Sequence, residues 1–148
     1  MSSAEVNCRK KAMDYLARRE HGFLELVTKL KEKGFSELLS HETVLKLKEE
    51  DLQSDERYAE MIVNVRSARG YGPLRIAYEL KIKGIETEII DDEINKKKSS
   101  WEQIGLMVLN KKLKNTKLED KEQFLKAYKF LQQRGFDHQD AKEIIKLF

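Results

Sequence analysis

The sequence is almost without proline: Pro73 is the only one in 148 residues. A chain that rarely breaks a helix and is rich in Leu, Lys and Glu reads as helical nearly throughout. Cysteine is equally scarce. Cys8 stands alone, so no internal disulfide can form, which fits a reducing compartment. No long apolar run occurs, so no membrane span is expected. The opening MSSAEVNCRKK holds no apolar signal segment, and the expected location is the cytoplasm. Charged residues (37%) nearly equal apolar ones (40%), which argues for thin cores between stacked helices rather than one large core. Net charge is only +3, so the whole molecule does not read as a polyanion binder. Its distribution is uneven. Residues 57–83 carry six cations against two acids, Glu60 and Glu79, whereas residues 37–56 are strongly acidic. Such alternation can steer an oriented partner, and it is also how helical surfaces ordinarily look.

Catalytic and metal-binding groupings are missing too. His21, His41 and His138 lie far apart and in no ligand spacing, so no metal and no cofactor is expected. GYGP at 70–73 is a turn between helices, with no preceding strand and no following Lys-Ser/Thr, so it is not a phosphate loop. Asp91 and Asp92 occupy adjacent helical positions and point apart. Cys8 has no local base and falls in a stretch expected to be loose. Nothing here supports catalysis, and the chain reads as a non-enzyme.

What is present is a repeat. KLKEKGF ends at Phe35, ELKIKGI at Ile85 and FLQQRGF at Phe136. The three glycines, Gly34, Gly84 and Gly135, are spaced by 50 and then 51 residues. Leu30, Leu80 and Leu131 precede them by four; Leu26, Ile76 and Ala127 precede them by eight. Gly22 and Gly72 correspond, as do Arg19 and Arg69, while the third unit lacks both equivalents and is the divergent one. A fixed period of this length means a tandem array in which each unit buries its face partly against its neighbour. The expected fold is all-α: three tandem three-helix, helix-turn-helix-like repeats in an elongated, curved array of nine helices. The expected units are 1–51 with a loose N-terminus, 52–98 and 99–148.

Along the chain, Ala12, Met13 and Leu16 mark the first helix, ending near Arg19. Phe23, Leu26, Val27 and Leu30 give the second its stripe; Leu38, Leu39, Val44, Leu45 and Leu47 serve the third. Ser36, Ser54, Ser100 and Asp137 are candidate caps, with Asp55 and Glu56 well placed for the dipole of the fourth helix. Tyr58, Ala59, Ile62 and Val65 are its expected buried face. Between Arg66 and Ile85 lie Pro73 and three of the seven glycines. Gly70 and Gly72 can take positive φ, Pro73 suits the first position of the next helix, and Gly84 closes it. Leu74, Ala77 and Tyr78 recur there at helical spacing, as do Ile76 and Leu80. Trp101 reads as a core anchor between the second and third units. Lys114 to Lys121 reads as a loop.

SDERYAEMIVNVRSARGYGPLRIAYELKIKGI resembles the central signature of the RecX family, regulators of the bacterial RecA recombinase. The specific residues are Asp55-Glu56-Arg57-Tyr58-Ala59, then Arg69-Gly70-Tyr71-Gly72-Pro73, Glu79-Leu80 and Lys83-Gly84-Ile85. YLARREHGFLELVTKLKEKGF resembles the family's first unit, and WEQIGLMVLNKKL with KAYKFLQQRGF its third. The resemblance spans about Ala12 to Leu147. Asp51 departs from it where the family often has glycine, and Leu113 where it often has phenylalanine. The resemblance implies a three-repeat helical protein that binds the RecA filament on DNA, inhibits its ATPase and strand exchange, and destabilises or caps the filament; the chain is expected to be a monomer. It thereby implies a modulator of homologous recombination and DNA repair, with single- or double-stranded DNA as a secondary contact. It brings no catalytic residues.

Arg66, Arg69, Tyr71, Arg75 and Lys81 are the candidate partner face, since Arg offers a planar donor fork and Arg and Tyr are enriched where interfaces are strong. The plainer reading stands beside it: Arg66 and Arg69 as solvated cations at a helix end, Tyr71 as packing on the turn. Gly70, Gly72, Pro73 and Gly84 are structural and aim the arginines. Lys96, Lys97, Lys98, Lys111, Lys112, Lys114 and Lys117 can touch phosphates or simply be solvated. The alternative function is a stand-alone, weakly sequence-specific DNA-binding helical protein. No helix is rich in Arg, Asn and Gln along one face, which argues against reading an operator.

Overall fold

The structure, a computed structural model, describes residues 1–114 and 116–148. Among the described residues the chain forms nine helices and no strand: α1 (Ser3–Arg18), α2 (Phe23–Glu32), α3 (Glu37–Glu49), α4 (Asp55–Ala68), α5 (Pro73–Ile82), α6 (Thr87–Asn95), α7 (Trp101–Leu113), α8 (Lys121–Arg134) and α9 (His138–Leu147). Helices α1–α3, α4–α6 and α7–α9 pack as consecutive trios. The divisions expected at 51/52 and 98/99 fall between α3 and α4 and between α6 and α7.

The three repeated glycines do one job. Each sits at positive φ: 98° at Gly34, 79° at Gly84 and 103° at Gly135. In each case the following residue donates its N–H to the leucine carbonyl five positions back: Phe35 to Leu30 at 3.2 Å, Ile85 to Leu80 at 3.1 Å and Phe136 to Leu131 at 3.0 Å. This Schellman closure pairs carbonyls that the last helical turn leaves orphaned, and it needs a left-handed residue that glycine adopts without strain. Gly70 closes α4 the same way, with Tyr71 N–H on Arg66 C=O at 3.1 Å. After α3 the left-handed residue is Asp51, φ 61°. Aspartate tolerates that region better than most side chains, and Arg57 braces it at both the Asp51 carboxylate and its carbonyl. The departure from glycine at 51 therefore keeps the turn.

Caps start the helices. Ser36, Ser54 and Asp137 accept N–H bonds from Leu39, Arg57 and Asp140. Ser100 precedes α7 but makes no side-chain cap bond, because its φ/ψ of −107°/−16° lies outside the extended region a cap residue uses. The expected loop from Lys114 to Lys121 includes Asn115, outside the described residues. Its far end is shorter than expected, since Asp120 caps α8 and Lys121 is already helical.

Four other expectations are corrected. The N-terminus is not loose: α1 starts at Ser3, capped by Ser2, and Cys8 is fully buried against Ala12, Leu26, Leu30 and Leu47. Gly72 does not take positive φ; its φ is −92°. Leu38, Leu45 and Val65 are exposed rather than core, because one narrow face of each short helix suffices for its trio. Leu74 and Tyr78 are likewise exposed, and Ile76 and Leu80 alone give α5 its buried stripe.

Two cores result. One lies among α1–α3. The other runs without interruption through α4–α9, from Tyr58, Ile62 and Leu80 to Leu109, Leu131, Phe136 and Ile144. Trp101 sits inside it and donates Nε1–H to Ile94 C=O at 3.2 Å, tying α7 to the end of α6. The accessible surface is 9430 Å², against about 7,900 Å² for a compact chain of this size. An elongated array accounts for the excess.

The trios meet in two different ways. Between the second and third, α8 ends against the start of α5. Gly72 N–H donates to Arg134 C=O at 2.7 Å, and Leu74 N–H to Gly135 C=O at 3.0 Å. Pro73, between the two donors, has no N–H to strand. A Cβ on Gly72 would stand 2.6 Å from Gly135 O, and one on Gly135 2.5 Å from Arg75 Cβ. Between the first and second trios, side chains intervene. Asp55 Oδ1 accepts Phe23 N–H at 2.8 Å, capping α2 from outside, and Gln53 Nε2 donates to it and to His21 C=O. Arg57 pairs with Glu20, while Glu25 takes Arg19 at 2.9 Å and Lys83 at 3.6 Å.

His21 is buried beside this joint. Its Nδ1 lies 3.0 Å from Arg19 C=O and its Nε2 2.9 Å from Lys29 Nζ, with the Tyr15 ring alongside. Burial pushes the imidazole below its ordinary value, and the Arg19 and Lys29 cations add to that.

Two outcomes follow for stability. Alanine at Gly135 should cost more than about 3 kcal/mol, because left-handed strain and a backbone clash combine, whereas alanine at Gly34, with open space around it, should cost about 1 kcal/mol. Urea unfolding of both variants measures this, and equal losses would disprove the close α8–α5 contact. For His21, the unfolded chain takes up a proton more readily than the folded one. Its contribution is therefore complete above pH about 6.5 and is lost as pH falls through the lower folded value. Melting temperature should drop between pH 7.5 and 5, and His21→Gln should flatten that part of the profile whatever its starting stability.

Candidate functional site

The turn after α4 carries a local grouping of arginines. Arg66, Arg69, Tyr71, Arg75, Ile76 and Glu79 line one cleft of ≈ 280 Å³. The fold thus gathers four of the five residues singled out from sequence. Lys81 stands apart: it is exposed in the last turn of α5 and does not line that cleft.

The four are not equivalent. Arg66 makes a two-pronged pair with Glu79, Nε to Oε1 at 2.8 Å and Nη2 to Oε2 at 3.1 Å. That hydrogen bonding raises the Arg66 pKa further above its already high value. Its charge is largely answered, so Arg66 staples α4 to α5 behind the turn. Arg69 is the Ccap residue of α4 and exposed, with no carboxylate partner among the described residues. Tyr71 is half-buried, and the Gly70 closure fixes its position. The Arg75 guanidinium lies 4.3 Å from the Tyr71 ring centre and donates Nη1–H to Gln133 C=O at 3.2 Å. A guanidinium over an aromatic face is attracted by the ring quadrupole and loses rotamer freedom in advance of any binding.

The four structural residues act as follows. Gly70 supplies the positive φ, and a Cβ there would stand 2.6 Å from Val108 Cγ2 on α7. Gly72 and Pro73 receive the end of α8. Gly84 is remote from the cleft and closes α5, with Leu24 of α2 3.0 Å from where its Cβ would be. Asp55 serves mainly as the external cap of α2. Lys96 pairs with Glu93 at 2.7 Å.

Sequence reasoning missed Arg134. Its guanidinium lies 4.8 Å from the Tyr71 ring centre and 5.4 Å from that of Phe130, and Nη1 donates to Arg69 C=O at 3.2 Å. The residue is visible in FLQQRGF, one before the third repeated glycine. Its contact with Arg69 spans 65 residues, and nothing local announces that. Among the described residues no three His, Cys, Asp or Glu side chains gather to hold a metal ion, and no helix is long and apolar enough to cross a membrane.

The architecture defines a class first: an all-helical protein of tandem three-helix units, the second and third of which meet at a glycine-proline turn that carries arginines. The first three-helix domain of RecX matches residues 8–47, and the second three-helix domain of RecX matches residues 54–93. A regulatory protein RecX of Legionella pneumophila is 36% identical over 135 residues, covering 91% of this chain and 90% of that protein. The regulatory protein RecX of Pseudomonas putida is 37% identical over 131 residues, covering 88% and 84%. The chain belongs to the RecX family. Its fold is similar to the crystal structure of RecX from Lactobacillus salivarius, with a TM-score of 0.85, 23% identity and full coverage of both chains.

Tyr71 makes no hydrogen bond through its hydroxyl among the described residues; its contribution is the ring, which two guanidiniums face. Tyr71→Phe should leave stability within about 0.5 kcal/mol, whereas Tyr71→Ala should cost about 2 kcal/mol or more through lost burial and both cation contacts. Urea titration distinguishes the two, and a large loss for phenylalanine would assign the role to the hydroxyl instead.

Proposed function

We propose that this protein binds the RecA recombinase filament on DNA and lowers its ATPase and strand-exchange activity, so modulating homologous recombination and DNA repair. Membership of a family of regulatory proteins supports the class of function. The observation that carries the residue-level reading is the cleft at the signature turn, where Arg69 and Arg75 are exposed and free of carboxylate partners among the described residues while Arg66 is answered by Glu79. Arg69 and Arg75 supply the contacting charge, Tyr71 anchors Arg75, and Arg66 and Lys81 flank them. Filament surfaces repeat at regular intervals, and a tandem array meets such a surface with one unit per interval. The units 1–51, 52–98 and 99–148 belong to this reading as the three contacts made along the partner.

DNA-dependent ATP hydrolysis by the cognate recombinase should fall when this protein is added at near-stoichiometric amounts. Arg69→Glu should weaken that inhibition about tenfold, the loss of roughly 1.4 kcal/mol of binding, with far-UV circular dichroism unchanged. Arg75→Glu should do the same or more, since Arg75 also holds α8. Undiminished ATPase at saturating protein would refute the function; full inhibition by Arg69→Glu would remove that residue from the contact.

A further inference from the structure

Helix α5 leaves an apolar row in the open. Leu74, Tyr78 and Ile82 follow one another four residues apart along one side of the helix, and they are 57%, 67% and 61% exposed. Leu24 of α2, also exposed, extends the row across the front joint, and with Ile82 it lines a hollow of ≈ 290 Å³. Single exposed leucines are ordinary on any surface, whereas an aligned row marks a contact face.

The repeat supplies an internal control. The places of Leu74, Tyr78 and Ile82 are taken in the first unit by Leu24, Thr28 and Glu32, and in the third by Leu125, Lys129 and Gln133. The fold therefore accepts polar residues at the second and third places, and α5 alone fills all three with apolar ones. Packing within a trio does not require them.

Charge beside the row is of one sign. Arg75 and Lys81 are exposed on the same side of α5, and among the described residues neither pairs with a carboxylate. Glu79, the one acid of this helix, is half-buried and held by Arg66.

We propose that this row is a docking face for an amphipathic helix of a partner protein, one whose apolar stripe is bordered by Asp or Glu. The inference adds a contact outside the arginine cleft and does not require the filament reading. A ridge of side chains at four-residue spacing fits the groove of a second helix. Tyr78, at its centre, offers large area with few rotamers to freeze. Acids on the incoming helix answer Arg75 and Lys81, which gives Lys81 a part that the cleft does not. A second copy of this chain, laid face to face, would oppose the same cations. An anionic membrane would meet Glu32 beside Leu24.

The test uses the full chain with no recombinase present, so its result is separate from the ATPase outcome. The probe is a dye-labelled peptide of about 18 residues, long enough to form a helix, with leucines along one face and glutamates beside them. A sibling peptide carries lysines in place of the glutamates. By fluorescence anisotropy the wild-type protein should bind the glutamate peptide and bind the lysine peptide far more weakly. Tyr78→Ser should weaken binding about tenfold, as loss of a central interface tyrosine does, and Ile82→Ser several-fold, with melting curves showing both variants folded. Lys81→Glu should narrow the preference between the peptides several-fold. Leu38→Ser, exposed on α3, should change nothing. No binding by the wild type, equal binding of the two peptides, or undiminished binding by Tyr78→Ser would overturn the proposal. So would dimers in sedimentation that Tyr78→Ser abolishes, which would give the row to a second copy, or tighter binding to phosphatidylglycerol vesicles than to the peptide.

Discussion

Two backbone hydrogen bonds join the end of α8 to the beginning of α5, and most of what is distinctive in this molecule depends on them. A helix leaves N–H groups unpaired at one end and carbonyls unpaired at the other. Here the two deficits meet: Gly72 and Leu74 donate, Arg134 and Gly135 accept. The partial positive end of one helix faces the partial negative end of the other, which adds attraction. Approach this close is open only to residues without side chains, and that places glycine at both 72 and 135. The same contact brings Arg134 beside Tyr71 and Gln133 beside Arg75. The joint that completes the fold thus also assembles the cationic surface.

The joint between the first and second trios uses corresponding elements and a different solution. Gly22 precedes α2 as Gly72 precedes α5, and Gly84 corresponds to Gly135. Yet Gly84 faces a leucine side chain, and the α2 N-terminus is capped by the Asp55 carboxylate. Ion pairs of Arg57, Glu20, Glu25 and Lys83 surround it. The part-exposed Arg57–Glu20 pair contributes little, the Glu25 carboxylate is largely buried between Arg19 and Lys83, and the apolar clusters on the two sides stay separate. A near-repeat in sequence has produced one joint made of main chain and one made of side chains.

How much of this could be read beforehand divides along local and distant lines. The glycines at 34, 84 and 135 were legible because a Schellman closure depends on half a dozen consecutive residues. Pro73 and the caps at Ser36, Ser54 and Asp137 were legible for the same reason, and so was the family signature. Gly72 was misread because its requirement comes from Gly135, not from its own φ. The start of α1 was misread because a Ser cap followed by Ser, Ala, Glu, Val and Asn carries little apolar periodicity, although Cys8 and Ala12 lie four apart on one buried face. Leu74 and Tyr78 have helical spacing that does not reveal which of two stripes faces inward. Arg134 needed the tertiary contact itself.

The contrast between the joints has a mechanical consequence. When a row of rigid modules is laid along a partner whose own spacing differs slightly, misfit accumulates from one module to the next. A linkage of main-chain bonds without room for a methyl group cannot stretch or pivot to absorb it. Carboxylates and ammonium groups can exchange partners, so on a partner of that kind the mismatch would collect at the front linkage, with the rear two-thirds of the molecule held as a single piece.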